Sequence, residues 1–161
     1  MIGFKSDRKN TKAYAEIGDI EGGTRRAIRQ TWFALGRDLK AEANAEILRK
    51  PKSGKIYILR AKKSGRLRRH IASAPGETHA NMRGKLRRSL SWVVHGTSSM
   101  EFGYGFSTTP RNAAPVYDQF VEFGTKNMKP RPSLKNAITA VEGRTENHFV
   151  KAMIKQFKRS E

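Results

Sequence analysis

Ile28, Trp32, Leu35, Leu39, Ala43 and Ile47 recur at three- and four-residue spacing. They mark one apolar stripe along a helix running from Asp19 to about Lys50. A stripe of that length must be covered along all of it, so the rest of the chain has to supply a layer against a long helix. Asp19 or Thr24 offers an N-cap, and Pro51 enforces the stop. Gly22, Gly23 and Gly36 weaken the helix interior and predict a frayed first turn. Residues 1–18 are polar and weakly periodic, and are expected to form a flexible arm.

The cover is legible further on. Lys55–Ala61 and Arg66–Ala72 read as a hairpin turning through Lys62, Lys63, Ser64 and Gly65. In a second pair, Leu86, Leu90, Trp92 and Val94 alternate with polar residues, Arg88 being the exception. Met100, Phe102, Tyr104 and Phe106 then alternate with Glu101, Gly103 and Gly105. Such a face suits packing on a helix, and the two glycines suit a close backbone approach, a bend or a bulge. A last helix is predicted from Ser133 to Lys158, its apolar face being Leu134, Ile138, Val141, Phe149, Ala152 and Met153, with Gly143 an internal weak point. The expected fold is α+β: a long N-terminal helix, about four antiparallel strands in a sheet, a short helix and a long C-terminal helix. Residues 19–161 would form one domain.

Charge narrows the function classes. The 161 residues carry 33 Lys and Arg against 14 Asp and Glu, a net charge of +19. A surface that basic repels its own copies and favours a polyanion or an acidic protein surface. Between Arg49 and Arg88 the only acid is Glu77. Lys62, Lys63, Arg66 and Arg68 gather at the hairpin tip, with Arg60 expected near Arg68 across the strands. This is a phosphate-seeking or acid-seeking surface without a base-reading module. The absence of Cys excludes disulfides and thiolate metal sites and fits a reducing cytoplasm. The first ten residues lack the apolar core of a signal peptide, and no apolar run has the length of a spanning helix.

Catalytic constellations are not legible. His70, His79, His95 and His148 lack metal-ligand spacing and read as separate surface or sheet histidines, so no cofactor or metal is expected. Asp118, Glu122 and Lys126 lack the acid-then-Glu-x-Lys arrangement of nucleases. On a helix, Asp118 and Glu122 would share a face and pair with the many cations. There is no phosphate-binding Gly-rich loop, and Ser89 and Ser91 have no organised base nearby. The chain reads as a non-enzyme.

The segment from Val116 to Leu134 reads locally as a helix-loop-helix connection. Pro115 starts a short helix with Val116, Phe120 and Phe123 on one side, Gly124 stops it, and Pro130 and Pro132 keep Lys129–Pro132 extended. Tyr117, Val121, Glu122, Phe123, Gly124 and Thr125, followed by Met128 and by Pro130, Arg131, Pro132 and Leu134, resemble a neck-protein family of tailed bacteriophages. The family comprises head–tail joining, tail-completion and minor tail components, typified by the tenth gene product of a lambdoid coliphage. Ala74, Pro75 and Gly76, with the stretch Gly84–Ser89, are similar to its preceding loop and strand start. Ser133 stands where the family usually has an aromatic, and the loop from Glu77 to Arg83 is longer and more basic.

The resemblance implies a structural virion protein, made in the host cytoplasm, whose copies form a ring (a hexamer, otherwise a dodecamer) around the DNA path. Its neighbours would be head-closure or adaptor, tail-terminator and tail-tube proteins, with nonspecific contact to double-stranded DNA and no membrane. The expected docking faces are the 55–72 hairpin and the segment from Val121 to Leu134. A free nucleic-acid-binding protein and a small metal-dependent nuclease are the alternatives.

Overall fold

The computed structural model describes residues 8–49, 51–61, 64–81, 84–106 and 117–158. Helix α1 spans Arg8–Leu48, 41 residues and about 60 Å long. It begins eleven residues before Asp19, so the expected arm is helical from Arg8 onward, and residues 1–7 lie outside the described part. Lys12, Ala13, Ala15 and Glu16 are strong helix formers, and they outweigh the weak periodicity that predicted a later start. Thr24 is therefore no cap. It lies inside the helix, and its hydroxyl donates to the Ile20 carbonyl at 2.9 Å. The helix stops at Leu48, with Pro51 just beyond.

Strands β1 (Ile56–Arg60) and β2 (Leu67–Ile71) pair antiparallel, as do β3 (Leu90–His95) and β4 (Ser99–Tyr104). They make two separate two-stranded sheets rather than one four-stranded sheet. In the second, Leu90 faces Tyr104, Trp92 faces Phe102 and Val94 faces Met100, so the alternating residues share one face. Gly103 is buried opposite Ser91, and Gly105, at φ 91°, donates its N–H to the Ser89 carbonyl. Leu86 is not in a strand. Lys85–Ser89 form a helical turn, α2, entered through Gly84 at φ 72°. The Ser89 hydroxyl donates to the Leu86 carbonyl at 2.8 Å, and Leu86 and Leu90 are buried at the i, i+4 spacing of a turn. Arg88, the exception on the apolar face, is thereby turned out and exposed.

Helix α3 covers Asp118–Phe123, and α4 covers Leu134–Val141. A 3-10 turn, Glu142–Arg144, leads into α5, Thr145–Phe157. The predicted single C-terminal helix thus changes pitch at Gly143, its weak point. Gly23 lies beside Gln156, while Asp38 accepts from His148 at 2.9 Å and lies 3.8 Å from Arg144. Numbers rising along α1 while falling along α5 make the two helices antiparallel. Of the expected stripe, Leu35, Leu39, Ala43 and Ile47 are buried, while Ile28 and Trp32 are only partly so and Ala27 is buried instead.

Two linked clusters form the core. Ala43, Ile47, Leu90 and Ala137 gather Phe102, Tyr104 and Leu134, whereas Leu35, Leu39 and Val141 gather Trp32, Met100 and Phe102. Each fully buried large side chain, such as Ile47 or Leu90, contributes about 1.5–3 kcal/mol. Ile138 and Phe149, expected on the apolar face, are exposed instead; on α4 it is Ala137 that packs into the core, which turns the adjacent Ile138 outward. Among the described residues, no helix is long and apolar enough to cross a membrane.

Gly36 is a notch rather than a flaw. A Cβ there would meet the Trp92 ring at 2.6 Å. Elsewhere in a helix, Gly→Ala gains about 1 kcal/mol. Gly36→Ala should instead lower stability by roughly 1–3 kcal/mol, because the Trp92 ring must move within a filled core. Chemical denaturation of the two proteins, read by Trp fluorescence, checks the sign.

Candidate functional site

The segment that carries the family resemblance is held together by one carboxylate. Glu122, on the inner side of α3, is 6% exposed. Its Oε1 accepts the backbone N–H groups of Ser133, Leu134 and Lys135 at 3.1, 2.9 and 3.2 Å. Its Oε2 accepts the Ser133 N–H at 3.0 Å and the Ser133 hydroxyl at 3.1 Å. These are the orphan donors at the start of α4, where negative charge also suits the helix dipole. The expectation that Glu122 pairs with a cation is therefore corrected: its partners are backbone amides. Asp118 does not share that role, its Oδ1 accepting the N–H of Gln119.

Ser133 is fully buried, and its Oγ lies 2.5 Å from the Tyr104 hydroxyl. With Ser133 donating to Glu122, Tyr104 donates to Ser133, and the relay ties β4 to α4. Burial pushes the Tyr104 phenol above its ordinary range, so it stays a neutral donor. The position where the family usually has an aromatic thus serves a polar relay.

The intervening loop is equally constrained. Gly124 sits at φ 80°, ψ −176°, and a Cβ there would meet the Met128 carbonyl at 2.6 Å and Pro130 at 2.9 Å. Thr125 and Met128 exchange backbone hydrogen bonds of 2.7 and 3.2 Å, Arg131 N–H donates to the Val121 carbonyl at 2.8 Å, and Gly76 N–H donates to that of Pro130. Pro132 leads into buried Ser133, and Leu134 packs on the core. On this brace the aromatic side chains point outward. Phe120 is 51% exposed and Phe123 77% exposed, against the expected apolar stripe. Pro115 and Val116 lie outside the described residues.

The first hairpin projects in the same bare manner. Its register, Arg60↔Leu67 through Ile56↔Ile71, puts Ile56, Ile58, Arg60, Leu67, Arg69 and Ile71 on one face and Tyr57, Leu59, Arg68 and His70 on the other. Arg60 and Arg68 are therefore on opposite faces, not neighbours, because the turn sets a register one residue away from the one that would join them. Ile56, Ile58 and Leu67 are each about half or more exposed, and Arg66, Arg68 and Arg69 are exposed as well. Lys62 and Lys63 fall outside the described residues; Gly65, at φ 63°, lies in the turn.

The hairpin base is clamped by Glu77, which accepts the Ser53 hydroxyl at 2.5 Å and the N–H groups of Ser53 and Ala74. The Ser53 hydroxyl, then the two amides, hold this carboxyl below its usual range. Lys52 donates to the carbonyls of Thr78 and Glu46, and the Thr78 hydroxyl donates to the buried Glu46 carboxylate at 3.3 Å.

Between hairpin and brace lies a cleft of about 590 Å³, lined by Tyr57, Leu59, His70, His79, Tyr117 and Arg131 among others. His79 is 7% exposed, and among the described residues neither ring nitrogen has a hydrogen-bond partner; Arg131 Nε is likewise buried and unpartnered among them. Burial, then the charges of Lys52 and Arg131, push the His79 pKa down to about 4. The ring is neutral at pH 7. Read from sequence as one separate histidine among four, His79 gave no signal, since an orphaned ring has no partner to reveal it. A second cleft of about 540 Å³ brings Arg68 and Arg69 beside Arg49 and Lys52.

Among the described residues, no three of His, Asp and Glu converge in a way that could hold a metal ion. His148 meets Asp38, which Arg144 also approaches, and His95 meets Glu101 at 3.2 Å. Compared with protein families, curated proteins and solved structures, the chain matches no family model, no characterised protein and no known structure.

Proposed function

We propose that this is a structural protein of a phage neck, several copies of which close into a ring joining tail to head around the DNA path. The observation that carries this reading is a pair of bare apolar surfaces on different elements. One is the hairpin face of Ile56, Ile58 and Leu67, and the other is Phe120 with Phe123 on a rigid brace. A closed ring uses heterologous contacts, so each subunit needs two unlike faces. A two-stranded hairpin is marginal alone and, among the described residues, has both strand edges unpaired, which suits an element that is completed by a neighbour. A brace fixed by Glu122 and Gly124 loses little entropy when Phe123 docks. The residues resembling the neck family, from Tyr117 to Leu134, build this brace. Mass spectrometry of separated heads and tails from the phage encoding this chain tests the reading. The protein should travel with the neck or the upper tail, and its absence from virions would end the proposal.

A second role rests on exposed charge. Arg66 and Arg68 on the hairpin, together with Lys62 and Lys63, would face DNA phosphates without reading sequence. Binding to mixed-sequence duplex should weaken steeply with salt. The double variant Arg66→Glu, Arg68→Glu should lower the log–log slope by about 0.9 for each phosphate it no longer neutralises. An unchanged slope in a variant that no longer assembles would reassign these residues to acidic protein neighbours.

A further inference from the structure

We propose that the cleft between the hairpin and the brace is a carboxylate-binding site, taking one acidic side chain of a neighbouring protein against Arg131 and His79. A buried polar group without a partner is costly, and most such groups in folded proteins are satisfied. Here two side chains in one cleft carry atoms with no partner among the described residues: both nitrogens of His79 and the Nε of Arg131. None of the described residues lining the cleft is acidic, whereas Lys85 adds a further cation. For the Arg131 Nε–H and the one N–H of the neutral His79 ring the missing partner is an acceptor, and the neighbouring cations select an anion.

Shape selects the kind of anion. A DNA duplex is stiff over about 50 nm and presents its phosphates on a rod, so it meets exposed cations such as Arg66 before groups recessed beneath a hairpin. A carboxylate on a flexible side chain reaches inward and matches the planar fork of a guanidinium. Tyr57, Leu59 and Tyr117 supply apolar contact for its methylene stem. Burial first, then the charges of Lys52 and Arg131, hold His79 neutral, and the single N–H of the neutral ring is a second donor beside Arg131.

This deepens the docking reading of the brace. It rests on that reading only for where the carboxylate comes from, because the site itself can be assayed on the isolated protein.

The experiment is NMR titration of the full chain with N-acetyl-glutamate N-methylamide at constant ionic strength, following the ring of His79 and the Nε–H of Arg131. Inorganic phosphate and a short mixed-sequence duplex are titrated in parallel. The expected result is saturable movement of both signals by the glutamate probe, with a midpoint on the order of millimolar, and weaker or unsaturable movement by the other two. Arg131→Met keeps the backbone bond to Val121 and should weaken the probe by about tenfold or more. His79→Phe, which replaces an unsatisfied ring by an apolar one, should raise the melting temperature while weakening the probe. Signals that do not saturate, or that move equally in Arg131→Met, overturn the site. Tighter binding of phosphate or duplex overturns the choice of carboxylate. A saturable site in a chain that never forms rings would retain this inference and refute only the neck reading.

Discussion

Replacing Glu122 with alanine is expected to lower the stability of the protein by about 3–4 kcal/mol. Three backbone N–H groups at the start of α4 and the Ser133 hydroxyl lose their acceptor at once, and water reaches few of them because Ser133 is fully buried. Burying orphaned donors costs more than the net worth of the bonds that satisfied them. For a chain of this length the loss corresponds to roughly a 10 °C fall in melting temperature. Glu122→Gln retains one acceptor oxygen and should cost about half as much. Calorimetry of the two variants gives the ranking. Near-equal effects would show that charge, not acceptor count, holds the brace.

A larger qualitative effect is expected at the hairpin. Ile58→Asp places a carboxylate at a side chain that is already 64% exposed. The folded monomer should keep its stability within about 0.5 kcal/mol, as surface changes do. Assembly should be lost altogether, because an apolar contact repeated at every subunit boundary of a ring fails everywhere when it fails once. Phe123→Ala should act in the same direction from the opposite face. Melting temperatures together with the yield of assembled particles separate the two outcomes, and a variant that assembles at normal yield would leave the hairpin without an interface role.

Much of this architecture can be read from periodicity. The stripe from Leu35 to Ile47 and the alternation from Leu90 to Tyr104 each follow from short-range spacing, and both form as expected. What periodicity hides is determined by contacts distant in sequence. Gly36 looks like a weak point until Trp92, far along the chain, fills the space above it. Glu122 looks like one more surface acid because a cap supplied from another helix has no spacing signature. Phe120 and Phe123 have core spacing, yet Glu122 takes the inward side of α3 and turns them out. His79 is legible only once the hairpin and the brace are both in place around it.

Electron microscopy of the concentrated protein, alone and with the neighbouring neck and tail proteins, bears most directly on the central claim. The account predicts closed rings, sixfold as the family resemblance implies, formed by wild type and absent with Ile58→Asp. A twofold dimer as the sole assembled form, or rings that persist with Ile58→Asp and Phe123→Ala combined, would contradict it.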